Sequence, residues 1–550
     1  MMEGLKRSKA VFIMAIIVVM CMILLSGCGS NTSTDSDTLV VACSEETGDL
    51  NPHTYDSPMW IQSLVYEGMT RFENGKVVSG IAKSWNVSKD GKTYTFHLDK
   101  ENKFSDGTPV NAKIVKKNFD AVLARKENHD WMETYRVLKS VDAIDKYTVR
   151  FNLRAPFSGL LQELSLSRPD RVGAEAMFPK NGDTSKSIDK PIGSGPWKLA
   201  EHKEDEYAVF ERNENYHGTK PDFKKLKVMI IPDINTAANA LKSGEIDMIY
   251  DLDGQMTGDV YNELKDSGYK ANISDPVATN MVLVNTNSGV TKEKAVRKAL
   301  EYAVDKKSIA KGIYNDLQPA ADYLMNPKTT YCNDPKLKVY KKDLKKAKKL
   351  LDGAGWKYSK DDKIRTKNGK KLSIRFFYEG ENESIKNIAQ VLQSQYEEVG
   401  IEVKLVAQDS NNYYKSQKKG EFELLQAATW GDPFDPHSYM SSFRVPGHGD
   451  CAAQKGLKEK PKIDRAVANA MNAMDKRVIE KNYHYILETL TDEAVYIPLT
   501  YTTTPYVYNS DKLSNVTFNT RVDVPYEKFK CVKNNIDTRD KGRACYQGNR

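Results

Sequence analysis

An uncharged apolar run from Ala10 to Leu25 is the strongest pattern in the chain, set behind Lys6, Arg7 and Lys9 and ahead of the small residues Ser26 and Gly27. A basic start, an apolar stretch of this length and a small-residue ending predict a secretory signal that is cut off at about residue 27. An uncleaved membrane anchor is the alternative its length allows. No later stretch is long and apolar enough to span a bilayer. Beyond it, two periods interleave. Thr38-Leu-Val-Val-Ala-Cys43 reads as a buried strand. Tyr94-Thr-Phe-His-Leu98 follows the Asp90-Gly91 turn with apolar and polar residues alternating, and Tyr147, Val149, Phe151 and Leu153 repeat that period of two, as half-buried strands do. Val296, Ala299, Leu300, Ala303 and Val304 share one face of a predicted helix behind Thr291, its candidate N-cap. Asp343 opens another, whose Leu344, Ala347, Leu350 and Leu351 lie together, with Gly353 placed to end it. Strands and helices interleaved over this length predict an α/β protein of more than one lobe.

Composition narrows the class. The 550 residues are 40% hydrophobic, enough for a globule of two to four domains. Removing residues 1–27 takes away three basic residues and Glu3, lowering the formal charge from +8 to +6. The remaining charge is spread over lysine-rich faces such as Tyr340-Lys-Lys-Asp-Leu-Lys-Lys-Ala-Lys-Lys349. These read as solvated surface, and without interleaved aromatics they argue against nucleic acid. Past Cys21 and Cys28, five cysteines remain: Cys43, Cys332, Cys451, Cys531 and Cys545. They are too few for a disulfide scaffold and too many by one for full pairing; Cys531 and Cys545 are the candidate pair in an oxidising exterior. The chain has no Gly-x-Ser-x-Gly, His-Glu-x-x-His or phosphate-binding loop, so nothing marks it as an enzyme.

Leu25-Ser-Gly-Cys28 resembles a bacterial lipobox, which implies cleavage before Cys28 and its lipidation. The polar residues Asn31 to Asp37 would then form a tether at the extracytoplasmic face of the cell membrane. A wider resemblance covers nearly all of 38–530. Asn51-Pro-His53, Ala82-Lys-Ser-Trp85, Asp90-Gly-Lys-Thr-Tyr-Thr-Phe96, Phe104-Ser-Asp-Gly-Thr-Pro109, Gly193-Ser-Gly-Pro-Trp197, Arg212-Asn-Glu-Asn-Tyr216, Ala295-Val-Arg-Lys-Ala-Leu300 and Ala354-Gly-Trp356 follow one another as in the extracytoplasmic solute-binding proteins of the peptide/nickel family. That resemblance implies a two-lobed clamp of the periplasmic-binding-protein kind (class II) with an extra domain in lobe one. Lobe one would span 38–272, with the extra domain at about 79–193, and resume at 506–550; lobe two would span 273–505. It further implies a monomer without prosthetic group or catalysis, delivering solute to the permease and ATPase subunits of an ABC importer.

Within the family the chain is most similar to the nickel-binding branch, through His129-Asp-Trp131, Leu161-Gln-Glu-Leu-Ser-Leu-Ser-Arg-Pro169, Trp430-Gly-Asp-Pro-Phe-Asp-Pro-His437, Arg444-Val-Pro-Gly-His-Gly-Asp450 and Asp492-Glu-Ala-Val-Tyr-Ile-Pro498. The resemblance implies that the transported ligand is Ni(II), or another transition metal, wrapped in a small carboxylate chelator such as histidine. Arg168 would grip a chelator carboxylate, Trp131 and Trp430 would wall the cavity, and His448 would supply the protein's one direct metal ligand. Tyr55 and Met59 are further candidates for its wall and entrance. The pattern departs at three places: Asn128 stands for a second carboxylate-binding arginine, Phe434 for a tyrosine and Asp432 for an alanine.

Read from the residues alone, these positions admit blander roles. A guanidinium like that of Arg168 suits a carboxylate through two parallel N–H···O bonds, and an internal Asp or Glu would satisfy it equally. A loop histidine such as His448 is ordinarily just solvated, although neutral imidazole suits nickel, copper and zinc. Cys451 is either a second, thiolate ligand or a buried or disulfide-bonded thiol. His53, His129 and His437 are also candidates, His437 more simply as a brace for its own turn. A peptide-binding importer component is the competing function. In those relatives an aspartate near the tryptophan holds the peptide's amino terminus, and Asp432 lies close to that place, but the interval from Trp430 to Pro436 is one residue short.

Overall fold

The computed structural model describes residues 37–73, 75–252, 254–358, 363–431, 435–517 and 524–532. The signal segment, Cys28, Asp432, Phe434 and Cys545 lie outside the described residues. No helix among the described residues is long and apolar enough to cross a membrane. Two large sheets organise the chain. Thr38–Cys43 sits in the middle of a seven-stranded sheet, parallel to Lys225–Ile230 on one side and Met248–Tyr250 on the other. Leu39 and Val41 are fully buried there. Ala278–Val284 lies inside a five-stranded sheet, between Leu424–Ala428 and Tyr496–Thr502, and is buried at every position. Covered on both faces, its second half, Met281 to Val284, is apolar without alternation. The four-stranded sheet of Ala82–Val87, Thr93–Leu98, Thr148–Leu153 and Leu138–Ala143 is a third body. Tyr94, Phe96 and Leu98 point inward at alternate positions, and Phe151 meets Phe96 and Phe119 edge-on at 5.1 and 4.8 Å. Each such buried ring contributes roughly 1.5–3 kcal/mol. The architecture is a mixed α/β, two-lobed clamp.

The main chain passes between the two large sheets twice, after Lys270–Ile273 and again between Tyr496–Thr502 and Pro505–Tyr508. The crossings lie side by side. Ser274 N–H donates to Thr504 O at 3.0 Å, Thr504 N–H to Ser274 Oγ at 2.8 Å, and Val277 N–H to Thr502 O at 2.9 Å. Such a paired crossing confines relative motion to rotation about one short axis.

Two helix boundaries differ from the sequence reading. Thr291 is not the N-cap of the helix Lys294–Ala303; that place belongs to Glu293. Its hydroxyl is occupied in donating to the carbonyls of Asn285 and Ser288 at 2.6 and 2.8 Å, inside a preceding 3-10 turn. Asp343 does cap Leu344–Gly353, accepting from Lys346 N–H, but Gly353 is its last helical residue and the left-handed turn falls at Gly355, φ +87°.

The segments that carried the family resemblance turn out to be joints. Gly193 and Gly195 pass against the end of the helix Met59–Val65, where a Cβ on Gly193 would sit 2.1 Å from the Val65 carbonyl oxygen. Only glycine fits so close an approach. Asn213, fully buried, donates to Gly195 O at 2.8 Å, and Ser105 N–H donates to Gly193 O at 2.9 Å.

Under the inserted domain lies Glu163, fully buried, whose carboxylate accepts from the backbone N–H groups of Glu133 and Thr134 at 3.2 and 2.8 Å. Burial outweighs those bonds and pushes its pKa up to about 8. The unfolded chain loses this proton near the ordinary carboxylate pKa, whereas the folded chain keeps it to about 8, so the folded state binds more protons in between and stability falls as pH rises through that window. Relative to Glu163→Gln, which has no such proton, the native protein is expected to lose thermal stability between pH 5 and pH 8, at up to about 1.4 kcal/mol per pH unit. A parallel pH dependence of the two melting temperatures would contradict this.

Candidate functional site

Where the lobes face each other the cleft holds two adjoining chambers that share Met59, Arg168, Trp430 and Gly431. The outer one, 470 Å³, is completed by Tyr55, Trp131, Leu166, Tyr414 and His448. The inner one, 290 Å³, is reached past Arg168 and bounded by Glu45, Trp60, Leu252, Ala278 and Thr429 among others. Each side chain is delivered by the end of an element. Met59 begins the helix Met59–Val65, Trp430 follows the strand Leu424–Ala428, Arg168 follows the short helix Leu160–Glu163, and His448 is the N-cap of Gly449–Gln454.

Arg168 sets the electrostatics. Its Nη1 donates to the carbonyls of Tyr55 and Ser57, each at 2.6 Å, and its guanidinium lies 5.3 Å over the Tyr55 ring. It makes no ion pair with any described carboxylate, so the internal salt bridge is not what holds it. Burial presses its pKa down, countered through space by Tyr55, Asp56 and Glu45. Two carbonyl dipoles orient the group without neutralising it, leaving a desolvated cation at the boundary of both chambers.

The aromatic wall is hydrogen-bonded into place. Trp131 Nε1–H donates to the Tyr55 hydroxyl at 2.8 Å, which is left to donate to His129 Nδ1 at 2.6 Å. Burial, with Arg125 adding to it, lowers His129 to about 4, so its ring is neutral and can accept that bond. Burial likewise raises the Tyr55 phenol well above its usual range. Trp131 meets Trp430 edge-on at 5.3 Å, across the cleft, and Trp430 lies 6.1 Å from the His448 ring. The pKa of His448 is lowered mainly by burial; Asp130 opposes that shift and Arg136 adds to it. A neutral imidazole keeps the lone pair that a metal requires.

The structure thus brings together Tyr55, Met59, Trp131, Arg168, Trp430 and His448. It does not bring Asn128, which is exposed on the turn Lys126–His129 and lines neither chamber. Cys451, three residues past His448, also lines neither chamber, and burial raises its thiol pKa, away from the thiolate a metal would need. No group of three histidine, cysteine or acidic side chains among the described residues is arranged to hold a metal. The other histidines are engaged internally. His53 bridges Thr184 and Asn118 at 2.8 and 3.1 Å and is held at about 3 by burial. His437 Nδ1 sits 3.2 Å from Asp435, within its own turn. Sequence reasoning missed Leu166 and Tyr414. Tyr414 had a signal: on the polar helix Ser410–Lys419 its neighbour Tyr413 supplies the buried ring, leaving Tyr414 60% exposed at the cavity mouth.

Residues 76–450 match the bacterial extracellular solute-binding proteins, family 5 Middle. The chain is 38% identical over 501 residues to the nickel-binding periplasmic protein of Escherichia coli (strain K12), covering 90% of this chain and 95% of that one. Among solved structures it superposes on NikA from Brucella suis in complex with Fe(III)-EDTA with TM-score 0.87 and 39% identity, over 90% of this chain and all of that one. NikZ from Campylobacter jejuni in complex with Ni(L-His) follows with TM-score 0.75 and 28% identity, over 90% and 99%. The chain belongs to the family 5 extracellular solute-binding proteins of bacteria.

Proposed function

We propose that this protein is the receptor of an ABC importer that captures a transition metal already wrapped in a small carboxylate chelator, with nickel–histidine as the prime example, and hands it to a permease. On this reading it is monomeric, works outside the cytoplasm, is lipidated at Cys28 and catalyses nothing. The observation that carries the reading is Arg168: a partly buried guanidinium with no ion-pair partner among the described residues, in the same cavity as a neutral imidazole. A chelate offers both complements at once, a carboxylate for the cation and a metal for the lone pair. One histidine is too few for a protein-only site of such a metal, so the chelator must supply the rest of the coordination.

Binding works by closure. Arg168, Trp131 and Tyr55 lie on one side of the cleft, Trp430 and His448 on the other, so only the closed form gives the ligand its full set of contacts. Closing also expels water and strengthens the arginine–carboxylate attraction.

Titration calorimetry distinguishes the readings: Ni²⁺ with histidine is expected to release heat of binding, whereas histidine alone, Ni²⁺ alone and di- or oligopeptides are not. Heat from a peptide without metal would overturn the proposal. Arg168→Ala is expected to weaken chelate binding at least tenfold, matching the loss of a charged hydrogen-bonded contact of about 1.5–3 kcal/mol. By contrast, Cys451→Ser is expected to leave affinity unchanged, and His448→Ala to remove the imidazole contribution from the X-ray absorption spectrum of the bound metal. Retained imidazole scattering from protein loaded with a histidine-free chelator would assign the ligand elsewhere.

A further inference from the structure

The two sides of the cleft are joined directly, away from the ligand. Arg444 Nη2, at the end of the turn Ser442–Arg444 in the second lobe, lies 2.7 Å from Glu133 Oε2 at the start of the short helix Glu133–Val137 in the inserted domain. The Glu133 side chain is 8% exposed and the Arg444 side chain 21%. Beside this pair, Ser441 Oγ–H is shared between the carbonyl oxygen of Ser438, at 2.8 Å in its own turn, and that of Trp131 across the cleft, at 3.2 Å. Both contacts cross the cleft, and both sit next to site residues. Glu133 is two positions from Trp131, and Arg444 is four positions from His448 through a tight turn in which Val445 N–H donates to Ser442 O and His448 N–H to Val445 O.

The pair is anchored at both ends. On one side Glu163 holds the Glu133 and Thr134 amides, and Arg136 adds a second, longer contact to Glu133 Oε2 at 3.4 Å. On the other, Lys460 donates to Phe443 O at 2.9 Å, and buried Asp450, just past His448, accepts from the Tyr439 and Tyr496 hydroxyls at 2.7 and 3.0 Å. The His448 loop therefore has a fixed far end in Asp450 and a near end set by what Arg444 grips.

We propose that Glu133 and Arg444 form a closure latch: positioning residues whose ion pair exists only when the clamp is shut and which fix the His448 loop opposite Arg168. Neither residue lines the ligand chambers. In the open state both side chains regain water, so the pair acts selectively on the closed form, and its removal shows chiefly in how long the ligand stays. This inference rests on the chelate-receptor reading for its ligand arm but not for its conformational arm.

The test uses the mature protein with Glu133→Gln, Arg444→Gln and the charge swap Glu133→Arg/Arg444→Glu. With Ni²⁺–histidine as the probe, each single variant is expected to speed dissociation about five- to tenfold with little change in association rate, as for a desolvated charge pair. X-ray scattering in solution, with and without the probe, is expected to show a more open molecule for each single variant and a return toward the native curve for the swap. Native dissociation rates and scattering in the single variants would overturn the latch. So would a swap no better than either single change, because simple destabilisation predicts that result. If the native protein fails to bind the chelate at all, the functional reading falls, and scattering of the unliganded variants and swap still decides for or against the latch.

Discussion

A guanidinium that has lost part of its water without gaining an ion-pair partner among the described residues is the constraint around which this cleft is arranged. The Tyr55 and Ser57 carbonyls share one nitrogen of Arg168 and fix the plane of the group. Five N–H donors on a rigid fork leave an unused edge, and a carboxylate meeting that edge finds it already oriented, without the rotamer entropy that a free arginine would lose. Breaking a buried charge pair is far more harmful than never having made one. The site therefore keeps its cation tolerable when empty, through dipoles, and reserves full compensation for the ligand. The rest of the wall is consistent with that division. Trp131, Tyr55 and His129 form a hydrogen-bonded chain that needs a neutral histidine, and burial keeps it neutral.

The metal side is lighter by design of the fold. His448 is a neutral imidazole at a helix N-cap, and among the described residues no group of three histidine, cysteine or acidic side chains is arranged to hold a metal. A site with one protein ligand cannot choose a metal by coordination geometry, since the Irving–Williams order acts on whatever donor set surrounds the ion. Discrimination falls to the chelator and to the shape of the chambers. On the proposed reading, recognition of the organic wrapping would be concentrated at Arg168 rather than distributed over several cations, which fits Asn128 standing on an exposed turn outside both chambers.

How much of this was legible in the sequence depended on what each residue answers to. Thr38–Cys43, Thr93–Leu98 and Lys294–Ala303 obey local periodicity because a sheet face or a helix stripe must be buried, and those elements form where the pattern puts them. Thr291 did not cap its helix because a hydroxyl donating to two carbonyls has taken up a different turn, something no spacing reveals. Arg168, Trp131, Trp430 and His448 were legible only through resemblance, since their convergence is made by loops from two lobes far apart in sequence. Cys451 shows the limit of spacing: three residues from His448 it could have shared a helix face with it, yet it lines neither chamber, which only the packing of Gly449–Gln454 decides. Tyr414 was overlooked because a polar helix gives no periodic reason to notice one exposed ring.

Closure then balances two opposed terms. Shutting an empty cleft strips water from Arg168, which opposes the closed form, while the Glu133–Arg444 pair and the Ser441–Trp131 contact favour it. Neither alone makes a useful receptor. An unopposed latch would hold the clamp shut against ligand entry, and an unopposed desolvation cost would be charged against every binding event, lowering apparent affinity by the rarity of the competent state. With both present, the proposed latch and the desolvation cost would offset one another, so that a carboxylate arriving at Arg168 could tip the balance by removing the term that disfavours closing. A bare metal ion cannot do this: it engages His448 but leaves the guanidinium uncompensated and adds like charge to the same cavity. On the proposed reading, a preference for wrapped over free metal would follow from the sign of the charge at Arg168, before any detail of the coordination sphere is considered.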